Sequence, residues 1–160
     1  MYPELTLVDD EHAATAAFTD AMSALASGVV LVTCSVDGRS WGTTVTAFAS
    51  VSADPPTVLV SLSSGGVAAR AIAADGAFGI SILAADQVDV AAYGSAPGEQ
   101  KFLERVHVPD ALAHLDCEVD RAVELADHTI FYGRVVAAHP TRRAAPLLYH
   151  RRGYKTVAAS

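Results

Sequence analysis

The sequence predicts a mainly β chain folded as an antiparallel barrel with helices on its periphery. Two observations carry that expectation. At least seven stretches have strand character. The segments with helical spacing fall into connections between strands and do not alternate strictly with them, which disfavours a doubly wound parallel sheet.

The elements follow in order. Asp9 and Asp10 are helix-start residues, and Ala14, Phe18, Met22 and Leu25 repeat at helical spacing up to a stop at Gly28, so one amphipathic helix packs on something else. Val29 to Val36 is rich in β-branched residues, Asp37-Gly38 is a hairpin turn, and Arg39 to Val45 returns as the second arm. The chain unwinds at Thr46 to Phe48, resumes as a strand, breaks at Asp54-Pro55-Pro56 and runs again from Thr57 to Leu62. A short Ala-rich helix spans Val67 to Ala74, a strand carries Phe78, Ile80 and Ile82, and a second short helix spans Asp86 to Tyr93. Gly94 to Pro109, with two glycines and two prolines, reads as a functional loop or lid. His114 to Val119 alternates, with Leu115, Cys117 and Val119 pointing inward and His114, Asp116 and Glu118 facing water. A long strand runs from Asp127 to His139, and Leu147 to Val157 closes the chain as a last strand.

Length and composition bound the function. At 160 residues, residues 1–160 are expected to be one domain, with residues 1–12 a flexible N-terminal segment. Hydrophobic residues at 51% and charged residues at 18% describe a chain able to build a sizeable core. The net charge of −7 argues against nucleic acid or an anionic membrane as the main partner, yet leaves room for an anionic small molecule held by a local donor cluster. MYPELTLVDDEH lacks the basic flank and apolar run of a signal peptide, and no run of about 18 apolar residues spans a membrane, so the default is a cytoplasmic protein. Cys34 and Cys117 read as buried thiols, since a disulfide is out of place in that compartment. The six histidines form no HExxH and no zinc-type set with cysteine, so no metal is expected.

Three features could carry chemistry. Gly42 to Ser52 concentrates Thr43, Thr44, Thr46, Ala47, Ser50 and Ser52 in one line, where small side chains let a ligand approach the backbone and hydroxyls offer donors and acceptors. The same run would serve as an ordinary edge strand. Ser61-Leu62-Ser63-Ser64-Gly65-Gly66 feeds a helix N-terminus, which favours phosphate, although most such turns are helix caps. His128, between Asp127 and Thr129, heads a long apolar strand and is either a site residue or a hydrogen-bonded structural one. There is no GxSxG elbow, no P-loop and no GxGxxG fingerprint, so a nucleotide cofactor would not be held in the Rossmann way.

Five runs, FTDAMSALASGVVLVTC, GTTVTAFASVSADPPTVLVSLSS, GAFGISILAADQ, LDCEVDRAVELADHTIFYGRVVAA and PLLYHRRGYKTV, resemble the flavin reductase family in that family's order, from about Phe18 to Val157. The resemblance implies an FMN-binding split β-barrel, a homodimer, and FAD or FMN bound without a covalent link. By carry-over, Thr43, Thr44, Val45, Thr46 and Ala47 would lie along the isoalloxazine. Ser61, Leu62, Ser63 and Ser64 would reach the ribityl chain and phosphate. Phe102 would cover the site, from this subunit or its partner. His128 would sit near the nicotinamide as the catalytic residue, and Tyr149 and Tyr154 would border the pocket. Where the family often has Ser-Ser, Asn and Asp, this chain has Thr46-Ala47, Ser81 and Gln100, departures that bear on flavin preference.

The implied reaction is hydride transfer from NADH or NADPH to flavin N5, with reduced flavin passed to a separate flavin-dependent monooxygenase. That chemistry belongs to the cofactors and asks the protein for orientation and a dry site, so a cradle without a nucleophilic triad is what it needs. Three alternatives remain at this stage. They are a split-barrel flavoprotein that retains its flavin (ferric-reductase-like or pyridoxamine-phosphate-oxidase-like), a non-enzymatic flavin binder, and a structural domain without ligand.

Overall fold

The computed structural model describes residues 11–158. The expected helix start at Asp9-Asp10 lies outside the described residues, as do residues 1–10 of the segment expected to be flexible. Helix α1 covers Glu11–Ser23 and leads to a two-residue strand β1 at Ser27–Gly28. Strands β2 (Val30–Val36) and β3 (Arg39–Val45) form the expected hairpin across Asp37-Gly38, both with positive φ. Strands β4 (Phe48–Ala53) and β5 (Pro56–Ser63) follow, then α2 (Val67–Asp75), β6 (Ala77–Ile82) and α3 (Val88–Ser95). After a long connection come β7 (Ala113–Leu125), β8 (His128–Pro140), β9 (Leu148–His150) and β10 (Gly153–Lys155).

Seven strands make one antiparallel sheet in the order β3-β2-β6-β7-β8-β5-β4, and β1, β9 and β10 make a small second one. The outer strands of the large sheet, β3 and β4, are consecutive in the chain and separated only by Thr46 and Ala47. The sheet must therefore curl until its two edges meet at that corner, giving the antiparallel split β-barrel that the strand pattern and the resemblance called for.

Strand β2 is buried on both faces from Val30 to Cys34, which fits a run rich in β-branched and apolar residues without polar alternation. On one face Val30 and Val32 join Val60, Ile72, Phe78, Ile80 and Phe131 in the barrel core, with α2 packed into it. On the other, Val29 and Leu31 meet Leu83, Ala91 and Leu147 beneath α3. Full burial of each such side chain is worth about 1.5–3 kcal/mol. Gly133 admits Phe78 to this core, because a Cβ there would stand 2.4 Å from the Phe78 ring.

Several sequence expectations need correction. His114 is buried, not water-facing, because the connection between α3 and β7 folds over it. Strand β7 runs on to Leu125, six residues past the expected end at Val119, by pairing with β8 as a two-stranded arm. The single last strand is two strands joined by a turn at Arg151 and Arg152, both at positive φ. Helix α1 stops at Ser23, so Leu25 is not helical and Gly28 lies in β1. Its apolar face is open: Phe18 is 65% and Met22 47% exposed. The second short helix starts at Val88, with Asp86 and Gln87 in the preceding turn, where Gln87 accepts from the Ala84 amide.

Candidate functional site

The β3–β4 corner organises the candidate residues. Thr43 points to the barrel end, where with Trp41, Leu62, Ser63, Gly66 and Lys101 it lines a cleft of about 500 Å³. That volume lies within the usual range for small-molecule sites, roughly 300–1,000 Å³. Both hydroxyls reach α3: Thr43 donates to Gly94 O at 3.5 Å and Thr44 to Ala91 O at 2.7 Å. Val45 is buried in the barrel core, so only its backbone can meet a ligand. Thr46 and Ala47 are exposed, and with Phe18, Met22, Tyr149 and Arg152 they line a second cleft of about 370 Å³. The run Thr43 to Ala47 thus passes from one cleft to the other.

The end of β5 joins the two. Leu62 is buried and Ser63 exposed, both lining the first cleft. Ser61 lies on the outer face of the sheet opposite Ile130, and its amide donates to Ala47 O at 3.0 Å, tying β5 to the corner. Ser64 Oγ and Thr129 Oγ1 are 2.8 Å apart and share a proton between hydroxyls, while the Ser64 amide donates to Asp127 O. Gly66 caps α2 without a side-chain hydrogen bond. The α2 N-terminus therefore presents unsatisfied N–H groups to the first cleft, which Lys101 also lines. This donor set fits a phosphate-bearing ligand such as FMN or FAD.

His128 stands opposite Ser63 in the ladder, on the same outer face. Its Nδ1 donates to Asp127 Oδ1 at 2.7 Å, which leaves Nε2 as the free ring nitrogen. The same bond holds the Asp127 carboxyl below its ordinary range. Phe102 bridges to Trp41 across a one-residue ladder and packs edge-on against its ring, with centroids 5.1 Å apart. The Arg39 guanidinium lies over the other side of Phe102 at 3.8 Å. Phe102 is thereby seated on β3 next to the first cleft, while Gly98 to Lys101 of the same connection form its wall. Tyr149 and Tyr154 meet edge-to-face at 5.5 Å on β9 and β10, beside the second cleft.

Sequence reasoning missed Trp41 and Lys101 as lining residues. Gly66 and the helix start at Val67 belong to the turn that the sequence marked as favouring phosphate, through its Gly-Gly step at a helix start. Trp41 and Lys101 carried no such signal, because they become neighbours only when the connection docks on β3 through Gly42 N to Lys101 O and Leu103 N to Ser40 O. The cysteines take no part in the site chemistry. Burial pushes the Cys34 thiol up to about 11 and the Cys117 thiol up to about 12, with Asp75 and Asp116 adding to the respective shifts.

This arrangement can be set against known proteins. Residues 22–158 match the flavin reductase like domain family. The chain belongs to that family. An NADH-dependent flavin reductase of Rhodococcus sp is 42% identical over 125 residues, 72% of this chain and 71% of that protein. The reductase component of 4-hydroxyphenylacetate 3-monooxygenase from Thermus thermophilus is 34% identical over 142 residues, 88% of this chain and 95% of that protein. The solved NADH:FAD oxidoreductase SgcE6 of Streptomyces globisporus C-1027, in complex with NAD and FAD fragments, superimposes with a TM-score of 0.84. It is 27% identical, with 96% of this chain and 97% of that chain covered. Family membership bears out the sequence resemblance and the split-barrel fold. Among the described residues, no helix is long and apolar enough to cross a membrane.

Proposed function

We propose that this chain is an NAD(P)H:flavin oxidoreductase of one domain, residues 1–160, that reduces free FAD or FMN and supplies it to a separate flavin-dependent monooxygenase. The observation that carries this reading is the cleft between Thr43, Ser63 and the uncapped α2 N-terminus, on a chain of the flavin reductase family. The relatives named for NADH and for a monooxygenase reductase component favour NADH as donor and a partner oxygenase.

When bound, flavin supplies the two-electron acceptor and reduced nicotinamide the hydride. The residues supply placement. Ser63, the α2 N–H groups and Lys101 hold the phosphate end, and the exposed residues Thr46 and Ala47 border the ring. Val45, Leu62 and Trp41 exclude water beneath it. His128, oriented through Nδ1 by Asp127, offers Nε2 toward the nicotinamide amide and moves no proton. Openness of both clefts to solvent suits a flavin that must leave after reduction.

The finer reading includes a homodimer, since the outer face of the β7–β8 arm carries uncovered apolar side chains, with Leu125 67% exposed. It also includes the cytoplasm, where two free buried thiols are at home. The deciding experiment mixes the protein with excess FAD or FMN and follows oxidation of NADH and of NADPH at 340 nm. Many turnovers per protein are expected with free flavin. Stoichiometric flavin binding with no nicotinamide oxidation would overturn the reductase reading.

A further inference from the structure

Away from the clefts, three histidines and one carboxylate meet on the outer face of the sheet. His107, in the 96–112 connection, stacks on His114 of β7 with ring centroids 4.6 Å apart and planes 11° from parallel. His107 Nε2 donates to Asp116 Oδ1 at 2.8 Å, and His139 Nε2 of β8 stands 3.7 Å from Asp116 Oδ2. From β6, Ser81 Oγ lies 3.1 Å from His114 Nδ1 and accepts the Val108 amide at 3.2 Å. Ser81 is fully buried and His114 nearly so. Among the described residues no three such groups converge as metal ligands would.

The surroundings favour an uncharged His114. Ser81 Oγ accepts from the Val108 amide and keeps its own proton and a second lone pair, so it can serve either tautomer of a neutral His114 at Nδ1. A doubly protonated His114 ring could only donate to Ser81, so the buried Ser81 hydroxyl proton could no longer use that ring as its acceptor. It would also set a charged, buried ring face to face with the His107 ring, 4.6 Å away between centroids. Burial, then His107 and His139, hold His114 below its ordinary value, with Asp116 opposing.

The geometry points to His107, His114, Ser81 and Asp116 as a clamp that positions the 96–112 connection, and with it the Gly98–Lys101 wall of the flavin cleft, and that lets go when His114 gains a proton. The inference rests on the flavin reading of that cleft only for its effect on cofactor binding. His114 binds its proton more weakly in the closed state than in the open one. Closure is therefore fully present above the ordinary histidine value near pH 6.5 and is lost as pH falls through the lowered one.

The test is hydrogen exchange on the flavin-free full chain from pH 8 to 5.5, corrected for intrinsic exchange, with FMN and FAD affinity measured by flavin fluorescence over the same range. Protection of residues 104–108, the Val108 amide included, is expected to fall by up to about tenfold per pH unit below pH 6.5. His114→Gln should abolish the slope. His107→Gln, at a half-buried position that tolerates change better, should move its midpoint up. Flavin affinity should weaken with the same midpoint as protection. Flat protection in the wild type, or an unmoved midpoint in His107→Gln, overturns the clamp. Flat affinity with moving protection overturns its coupling to the cleft. Absence of flavin binding at pH 8 instead sinks the cofactor reading, and the exchange data still decide the clamp.

Discussion

His128 has one ring nitrogen committed to Asp127 and half of its side chain in solvent. A group so exposed is poorly placed for acid–base work in a water-excluded site, and hydride transfer does not call for any. His128→Ala is therefore expected to raise KM for NADH several-fold and lower kcat modestly. The flavin dissociation constant, read by fluorescence, should be unchanged. A loss of the roughly 10²–10⁴-fold that acid–base catalysis contributes, in a variant that still binds flavin, would overturn the orienting role. At this scale the sequence was informative where a residue type has one habitual use. Cys34 and Cys117 read correctly as buried thiols. Thr44 read as a ligand hydroxyl, whereas its oxygen is spent on Ala91 O, a partner 47 residues away that no local pattern reveals. His114 read as solvent-facing because strand alternation knows nothing of the connection that folds over it.

Elements were legible where local chemistry dictates them and illegible where a remote surface does. Asp37-Gly38 specifies its hairpin outright, and the structure pairs Val36 with Arg39 across it. The extension of β7 left no such mark, since residues 120–125 are exposed and an arm with both faces wet shows no period-2 contrast. The turn at Arg151-Arg152 was hidden for another reason: positive φ at two arginines is a demand of the small sheet, not a preference of the residues. Helix α3 sits on β3 through a glycine. A Cβ at Gly94 would stand 2.3 Å from Thr44 Oγ1, 2.5 Å from Leu31 Cδ1 and 2.9 Å from the Thr44 backbone nitrogen. Backbone cannot give way as a side-chain tip does, so Gly94→Ala must push α3 off the strand that carries Thr43 and Thr44. The expected cost is about 1–3 kcal/mol, visible as a Tm several degrees lower in a calorimetric scan, with weaker flavin binding. A variant with unchanged Tm would mean that α3 is not seated on β3 as described.

Considered whole, the described residues leave two apolar surfaces bare, and exposed apolar patches of that kind mark contact sites. One is the outer face of the arm, where ladder register aligns Val123 with Ile130 and Leu125 with His128. The other is α1, with Phe18 and Met22 beside Thr46, Ala47 and Tyr149. Both adjoin candidate site residues, so a second copy seated on either would also enclose the cofactor's exposed edge. A stable interface needs about 1,200–2,000 Å² of total buried surface, more than one exposed leucine provides, so the arm and its flanking strand β5 would have to dock together. Sedimentation velocity at micromolar concentration is expected to show a dimer. Val123→Asp combined with Leu125→Asp should yield a monomer whose circular dichroism is unchanged, because both side chains already face solvent in the single subunit. That monomer should bind flavin less tightly, since its nicotinamide side near His128 would lie open. A monomeric wild-type protein would remove the homodimer. A double variant that stays dimeric, while Phe18→Asp dissociates, would move the interface from the arm to α1 and with it the wall that completes the site.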